Sequence, residues 1–264
     1  MTGSSLVVLA AGHGLRFGGL KQLVAIRGDG STVTDVLIRR AADAGFEQAV
    51  IVVRPAIESL MRAHLDEMGG AGIPVEIAVQ RQSRGTADAV LAARGAVVGP
   101  LVVVNADDLY PAGAFSLIAT HLRNAPAHEH AVVGFRVDRT LVGSRPEARA
   151  LLTIDEAGAL SGVQEGQVEK DGGLHFSTAT SVDPLRGDEI VSMNMWAFRP
   201  SVFDALGAAV SELGEHDPDV EVFLPDVVAR MVAGGAIVRV LQTEEACIGI
   251  TYREDVDAVR AAQP

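Results

Sequence analysis

Short apolar runs alternate with helical patterns along the first half of the chain. The first run, over 5–9, is unbroken and rich in β-branched residues, which is typical of a strand buried in a parallel sheet. Because a helical pattern separates each run from the next, the order predicts βαβ units with right-handed crossovers. The predicted strands are 5–10, 48–53, 74–79 and 101–105, and the predicted helices are 33–44, 56–69 and 86–97.

The pattern changes after residue 130. A polar, glycine-rich segment over 138–189 separates strands predicted near 131–135 and 191–196. Since no repeat or linker divides the chain, both halves are expected to share one sheet. The prediction is a single Rossmann-like domain over 1–264, with three α/β/α layers and a central mixed, mainly parallel sheet. The remaining predicted elements are helices near 112–122, 200–213, 222–234 and from about 253, and a strand over 236–242.

Composition narrows the classes of function. The 264 residues carry a formal net charge of −12 and no long basic cluster, so the chain is not expected to bind nucleic acid. No apolar run approaches the length of a membrane span and no secretory signal is found, so a cytoplasmic protein without a membrane partner is expected. Cys247 is the only cysteine, which excludes an internal disulfide. His128 and His130 are interpreted as a solvated turn.

A glycine loop follows the first predicted strand. Glycine allows positive φ and lets backbone N–H groups approach phosphate oxygens, and Arg16 and Lys21 add positive charge. The loop fits neither the Walker pattern, since Leu20 precedes Lys21 and Gln22 follows it, nor the dinucleotide fingerprint, since Phe17 stands where its third glycine belongs. The alternative to phosphate binding is an ordinary glycine-rich turn whose cations are exposed to solvent. The glycines are Gly12, Gly14, Gly18 and Gly19.

Two further strand ends carry candidate chemistry. Gln80 offers an amide that can pair with a base edge, and Gly85 permits close backbone approach, while Thr86 is expected to help start a helix. Asp107 and Asp108 directly follow a buried strand, where carboxylate oxygens suit Mg²⁺. Without a function, the Gln80–Thr86 block would be a surface loop before a helix, and Asp107 would be an aspartate in a turn.

These blocks together resemble the sugar-phosphate nucleotidyltransferase family, which has a glycosyltransferase-A-like fold. The resemblance begins with Leu-Ala-Ala-Gly-His-Gly-Leu-Arg at 9–16, continues with Gly-Gly-Leu-Lys-Gln at 18–22, and covers nearly the whole chain. Leu15 stands at the usual Ser/Thr position of the loop. Gly249 stands near the family's second metal aspartate, so either Asp255 replaces that ligand or a single protein carboxylate and the phosphates hold the metal.

The resemblance implies a role for each matching residue. It implies that about 1–125 bind the nucleotide and about 126–264 bind the acceptor, and that Asp107 holds Mg²⁺. For the acceptor glutamate, Glu165 and Glu169 remain alternatives. The implied catalytic residues are Arg16, Lys21 and Asp107; the nucleotide-binding residues are Leu9, Ala11, Gly12, Gly14, Gln80, Gly85 and Thr86; the acceptor-binding residues are Glu165, Asn194 and Glu221.

The expected reaction joins a nucleoside triphosphate to a sugar 1-phosphate and releases pyrophosphate, with Mg²⁺ as cofactor. Transfer to another acceptor, such as a cyclitol phosphate, phosphocholine or a phosphonate, is the first alternative. A nucleotide-sensing homologue without turnover is the second, and a dehydrogenase is a distant third. The sequence leaves the nucleobase and the acceptor open, and it is compatible with a homo-oligomer.

Overall fold

A computed structural model describes residues 3–14, 17–69, 72–143, 145–212 and 220–261. Its strands are β1 (Ser5–Leu9), β2 (Gln48–Val53), β3 (Val75–Val79), β4 (Leu101–Asn105), β5 (Asp108–Leu109), β6 (His130–Arg136), β7 (Glu147–Ile154), β8 (Leu160–Lys170), β9 (Leu174–Ser177), β10 (Val182–Leu185), β11 (Ile190–Phe198), β12 (Val238–Thr243) and β13 (Ile248–Gly249). Its α-helices are α1 (Val33–Ala44), α2 (Glu58–Met68), α3 (Gly85–Ala92), α4 (Ala112–Asn124), α5 (Val202–Glu212), α6 (Leu224–Ala233) and α7 (Asp255–Ala261). Short 3₁₀ helices span Lys21–Leu23, Pro55–Ile57 and Val137–Arg139.

The central sheet has the strand order β3-β2-β1-β4-β11-β6-β12. All neighbours in this row are parallel except β11, which is antiparallel to both β4 and β6. The chain moves outward from β1 to β3 and then returns to place β4 on the other side of β1. This reversal makes a topological switch point between β1 and β4, the place where open α/β sheets bind ligands.

Helices cover both faces of the sheet because alternate residues of each strand point to opposite sides. Leu6 and Val8 of β1 pack in one buried cluster with residues of α1, α2, α4 and α7, whereas Val7 packs in another with residues of α3, α5 and α6. The predicted three-layer, mainly parallel α/β fold is therefore confirmed. No helix of the described residues is long and apolar enough to cross a membrane.

The polar segment over 138–189 forms regular strands. β7, β8, β9 and β10 make an antiparallel meander, and β7 attaches it to the first half of β11. Strand β8 lacks an apolar run because several of its residues are exposed and because Glu165, Gly166 and Gln167 line a cavity. Strands from both halves of the chain thus belong to one sheet.

Two local predictions were wrong. Helix α3 ends at Ala92, five residues before the predicted end, because turns closed by Ala93 N to Val90 O (3.1 Å) and Ala96 N to Ala93 O (3.0 Å) replace its last part. His130 is not in a solvated turn. It begins β6, is only 4% exposed, and its Nδ1 accepts a hydrogen bond from Arg199 N.

Candidate active site

Two adjoining cavities lie at the carboxyl ends of β1 and β4. The smaller, of about 280 Å³, lies between the glycine loop and α3. The larger, of about 650 Å³, lies between the end of β4 and strands β7, β8 and β11. A ligand that extends from one cavity to the other passes their shared wall. Four residues line both cavities: Thr86, Asn105, Asp107 and Phe223.

The smaller cavity brings together the residues that the sequence predicts for the nucleotide. The loop after β1 supplies one wall, and the start of α3 supplies another. Arg16 lies outside the described residues. The predicted residues that line this cavity are Leu9, Ala11, Gly12, Gly14, Lys21, Gln80, Gly85, Thr86 and Asp107.

An ion pair joins the glycine loop to the end of β4. Lys21 Nζ contacts Asp107 Oδ2 and lies 3.4 Å from Ile250 O. The side chains of Lys21 and Asp107 are 17% and 27% exposed, so both remain accessible from the cavities. The short 3₁₀ helix at Lys21–Leu23 therefore places a cation directly beside the carboxylate where the two cavities meet.

Asp108 lies in a different environment from its neighbour. The residue is 8% exposed, and its Oδ2 accepts a hydrogen bond from Asn105 Nδ2 at 2.7 Å. Burial, followed by the charge of Asp107, raises the pKa of the Asp108 carboxyl to about 7. Asp107 is thus the more exposed carboxylate, and Asp108 is a buried group whose proton equilibrium lies near neutrality.

The start of α3 is tied to the segment before α6. Gly85 has φ +87°, and a Cβ there would lie 2.4 Å from Val222 O. Thr86 does not cap its own helix as predicted: its Oγ1 accepts a hydrogen bond from Leu224 N at 2.8 Å, the first residue of α6. Gln80 Nε2 donates to Gly85 O at 3.0 Å and to Asp88 Oδ2 at 2.9 Å. Gln80 therefore lines the cavity and also holds the start of α3 in place through its hydrogen bonds.

The larger cavity contains two of the three predicted acceptor residues. Glu165 and Asn194 line it, whereas Glu221 lines the smaller cavity. Glu169 pairs with His175 in the β8–β9 register and is not among the described residues that line the larger cavity. Burial and the nearby Asp226 raise the pKa of Glu165. Of the two alternatives, Glu165 is the one placed at the cavity.

Asn194 connects the acceptor side to the carboxylate side. It is the only non-glycine residue among those described with a left-handed backbone, at φ 63°, and it lies where the β11–β6 register shifts. Its Nδ2 donates to Asn105 Oδ1 at 2.7 Å, and its Oδ1 accepts from Trp196 Nε1 at 2.8 Å. Since Asn105 in turn donates to Asp108, one hydrogen-bonded chain runs from β11 to the carboxylates.

The structure also shows site residues that the sequence reasoning missed. Arg149 lines the larger cavity, and its guanidinium donates to Thr140 Oγ1 at 3.0 Å and to Ala148 O at 2.7 Å and lies 3.6 Å from Glu147. The sequence signal that could have identified Arg149 is its position as a charged residue within the partly apolar strand β7. Asp255 is engaged elsewhere, because its Oδ2 accepts hydrogen bonds from Thr251 N and Tyr252 N.

The fold and the position of the site define an α/β protein whose two cavities lie at a topological switch point of the sheet. Over residues 5–240 the sequence matches the Nucleotidyl transferase family model, so the chain belongs to the nucleotidyl transferase family. The predicted resemblance is thereby confirmed.

Sequence relatives and solved structures agree with this assignment. The bifunctional protein GlmU of Anaeromyxobacter sp. (strain Fw109-5) is 28% identical over 95% of this chain and 47% of its own length. The chain thus spans about half the length of this curated relative. The inositol-1-phosphate CTP transferase from T. maritima has a TM-score of 0.69 and 14% identity, covering 97% of this chain and 94% of that one.

A second solved structure gives the same result. The putative glucose-1-phosphate thymidylyltransferase from Bacillus anthracis has a TM-score of 0.70 and 13% identity, covering 98% of this chain and 94% of that one. At these identities the structural likeness establishes the fold, which is the glycosyltransferase-A-like α/β fold predicted from the sequence.

Proposed function

We propose that the protein transfers a nucleotidyl group from a nucleoside triphosphate to a sugar 1-phosphate. The observation that carries the proposal is the meeting of two cavities at the Lys21–Asp107 pair. The smaller cavity suits the nucleotide because the glycine loop lines it, and the larger suits the acceptor. The names of both structural neighbours include a phosphorylated acceptor, which supports a phosphorylated acceptor for this chain.

The reaction needs no protein nucleophile. A phosphate oxygen of the acceptor attacks the α-phosphorus, a new P–O bond forms, and the bond from that phosphorus to the α–β bridging oxygen breaks. Pyrophosphate leaves with the bond's electron pair. Lys21 contributes positive charge beside the α-phosphorus, and Arg16 is proposed to contact the leaving pyrophosphate. Catalysis then consists of positioning and charge neutralisation.

The carboxylates fit a magnesium ion. Asp107 presents a partly exposed carboxylate at the shared wall of the cavities, with the Asp108 carboxyl beside it. Mg²⁺ is commonly bound in proteins by one or two carboxylates together with substrate phosphates, which is the set of oxygen donors that Asp107 and Asp108 would complete. When bound, Mg²⁺ would neutralise phosphate charge and hold the transferring group in place.

Pyrophosphate release provides the test. We expect it in a screen of the four nucleoside triphosphates against hexose 1-phosphates with Mg²⁺. Asp107→Asn and Arg16→Ala should each lower turnover by at least about 100-fold without a comparable loss of folding. Arg94→Met is the control, because Arg94 is an exposed cation that lines neither cavity. Near-normal turnover in both site variants would contradict the assignment.

The same screen separates the alternatives. Turnover with inositol 1-phosphate, phosphocholine or a phosphonate, and not with a sugar phosphate, would assign a different acceptor. Nucleotide binding without pyrophosphate release from any acceptor would identify a nucleotide-sensing homologue. Binding of NAD(H) in place of a triphosphate would favour a dehydrogenase.

A further inference from the structure

We infer that Gln22 and Arg54 are positioning residues that hold the phosphate loop in its anion-binding conformation before a nucleotide arrives. The inference rests on the proposed function, since it concerns the same smaller cavity. Gln22 closes the Gly-Gly-Leu-Lys-Gln block at 18–22 without a role assigned to it, and Arg54 lies outside the glycine loop. Gln22 follows Lys21 in the chain, and Arg54 follows the last residue of β2.

Gln22 holds two carbonyl groups of the loop. The residue is only 3% exposed, and its Nε2 donates to Ala10 O at 3.2 Å and to Gly12 O at 2.9 Å. A buried amide that donates to both carbonyls ties residues 10 and 12 to one point, so Gln22 restrains the path of the backbone across 10–12. Since Lys21 contacts Asp107, one short 3₁₀ helix anchors both the loop and the carboxylate side of the site.

Arg54 holds the same stretch of loop from the neighbouring strand. Its Nη1 lies 3.4 Å from Ala11 O and donates to Gly12 O. β2 and β1 are parallel neighbours, so their carboxyl ends lie at one edge of the sheet and Arg54 reaches the loop directly. Gln22 and Arg54 therefore share Gly12 O as an acceptor.

The consequence for phosphate binding follows from peptide geometry. In a planar trans peptide the C=O of one residue and the N–H of the next point in opposite directions. With the carbonyls of residues 10, 11 and 12 held by Gln22 and Arg54, the N–H groups of Ala11, Gly12 and His13 are directed away from these two side chains. Backbone N–H groups that are left free in such a loop can bind phosphate oxygens, and fixing their peptides in advance removes an ordering cost from binding.

Gln22 is neutral and Arg54 is positively charged, so variants of the two residues can distinguish an effect on loop conformation from an effect on charge. Loss of Gln22 leaves the charge at the loop unchanged, although it also removes a side chain that lines the smaller cavity. Arg54 also brings a positive charge to the loop, so Arg54→Lys keeps the charge and Arg54→Met removes both charge and hydrogen bonds. A matched control for Gln22 is Gln48, whose Nε2 bridges Ser5 Oγ at 2.9 Å and Ala96 O at 2.8 Å at the amino end of the same strands.

The experiment measures the KM for the nucleoside triphosphate and the KM for the acceptor in each variant. We expect Gln22→Met and Arg54→Met each to raise the triphosphate KM by about tenfold, with the acceptor KM changed by less than about twofold. Arg54→Lys should recover part of the loss. Because both side chains hold Gly12 O, the double variant should lose less than the product of the single effects. Gln48→Met should leave both KM values near those of the wild type.

Gln22→Glu adds a readout that depends on pH. A protonated carboxyl can still donate one hydrogen bond to a carbonyl, whereas the carboxylate repels both acceptors. Burial raises the pKa of such a carboxyl, so triphosphate affinity in this variant should fall as the pH rises through that pKa. Wild-type affinity should not follow this titration.

The outcomes distinguish the inference from the proposed function. If the wild type turns over and Arg54→Met and Gln22→Met keep its triphosphate KM, the positioning role is overturned while the function stands. Arg54 is half-buried at a strand end, so its variant decides the matter even if Gln22→Met fails to fold. If the wild type binds none of the four triphosphates, the proposed function and the positioning role fail together.

Discussion

The Asp108 carboxylate occupies the space that a side chain at position 249 would need. Asp108 and Gly249 are partners in the antiparallel pairing of β5 and β13, and a Cβ on Gly249 would lie 2.5 Å from Asp108 Oδ1. The two positions therefore have room for one carboxylate between them. With the Asp108 side chain in this position, a side chain at 249 would force one of the two to move, which gives a physical reason for the absence of an acid at 249.

This relationship predicts the effect of exchanging the two residues. Gly249→Asp should destabilise the protein by about 2 kcal/mol or more, because it crowds a second carboxylate against a buried one. Adding Asp108→Gly should restore most of that loss. Denaturant unfolding of the two single variants and the double variant measures the coupling. If Gly249→Asp alone unfolds like the wild type, the two positions do not compete for space.

Gly85 predicts a second effect, on both stability and nucleotide binding. An alanine there would combine a left-handed backbone with a Cβ 2.4 Å from Val222 O, so the segment that carries Glu221 and Phe223 must move. We expect a loss of about 2 kcal/mol or more in unfolding free energy, with a weaker affinity for triphosphate. Gly30→Ala is the control, since Gly30 has φ +86° but a Cβ there would have no neighbour within 4 Å. Equal losses at both positions would exclude a specific collision at Gly85.

Asn194 predicts a spectroscopic change. Asn194→Gly keeps the left-handed backbone but removes the acceptor of the Trp196 indole N–H, whereas Asn194→Ala also adds backbone strain of about 1 kcal/mol. Trp196 is the single tryptophan, so intrinsic fluorescence reports on this bond directly. Both variants should shift the emission, and Asn194→Ala should unfold more easily than Asn194→Gly. An unchanged spectrum in both variants would argue against the hydrogen bond.

His130 predicts an acid-sensitive step in stability. Burial, followed by the charge of Arg199, lowers the pKa of His130 to about 4. The unfolded chain therefore binds a proton near pH 6.5 that the folded chain does not bind until about pH 4. The contribution of His130 is present above pH 6.5 and is lost as the pH falls towards 4, by on the order of 2–3 kcal/mol.

His130→Leu tests this contribution, because it should make the free energy of unfolding depend less on pH between 4 and 6.5. Unfolding free energies at several pH values between 4 and 7 should fall less steeply in the variant than in the wild type. His128→Leu, at an exposed position two residues earlier, is the control. Parallel pH profiles for wild type and His130→Leu would contradict the buried, neutral histidine.

The sequence predicted the parts of the fold that depend on local pattern. Helix α1 has the predicted bounds, and it begins at a capping box in which Thr32 and Asp35 bind each other's backbone N–H groups. The buried parallel strands were evident because both their faces are apolar. Strand β8 was not predicted as a strand, because a strand that is partly exposed and lines a polar cavity has no regular apolar alternation to detect.

The same division holds for the candidate site. The sequence by itself predicted that the glycine loop, Lys21, the Gln80–Gly85 block and Asp107 would lie together, since each follows an apolar run and strand ends meet at one edge of a parallel sheet, and all of them line the smaller cavity. Only the tertiary structure decided that Gln22 and Arg54 hold the loop carbonyls, that Asp108 excludes a side chain at Gly249, and that Glu165 rather than Glu169 lines the larger cavity. These are contacts between residues far apart in the chain, or depend on which face of a strand a side chain occupies, and neither is encoded in local spacing.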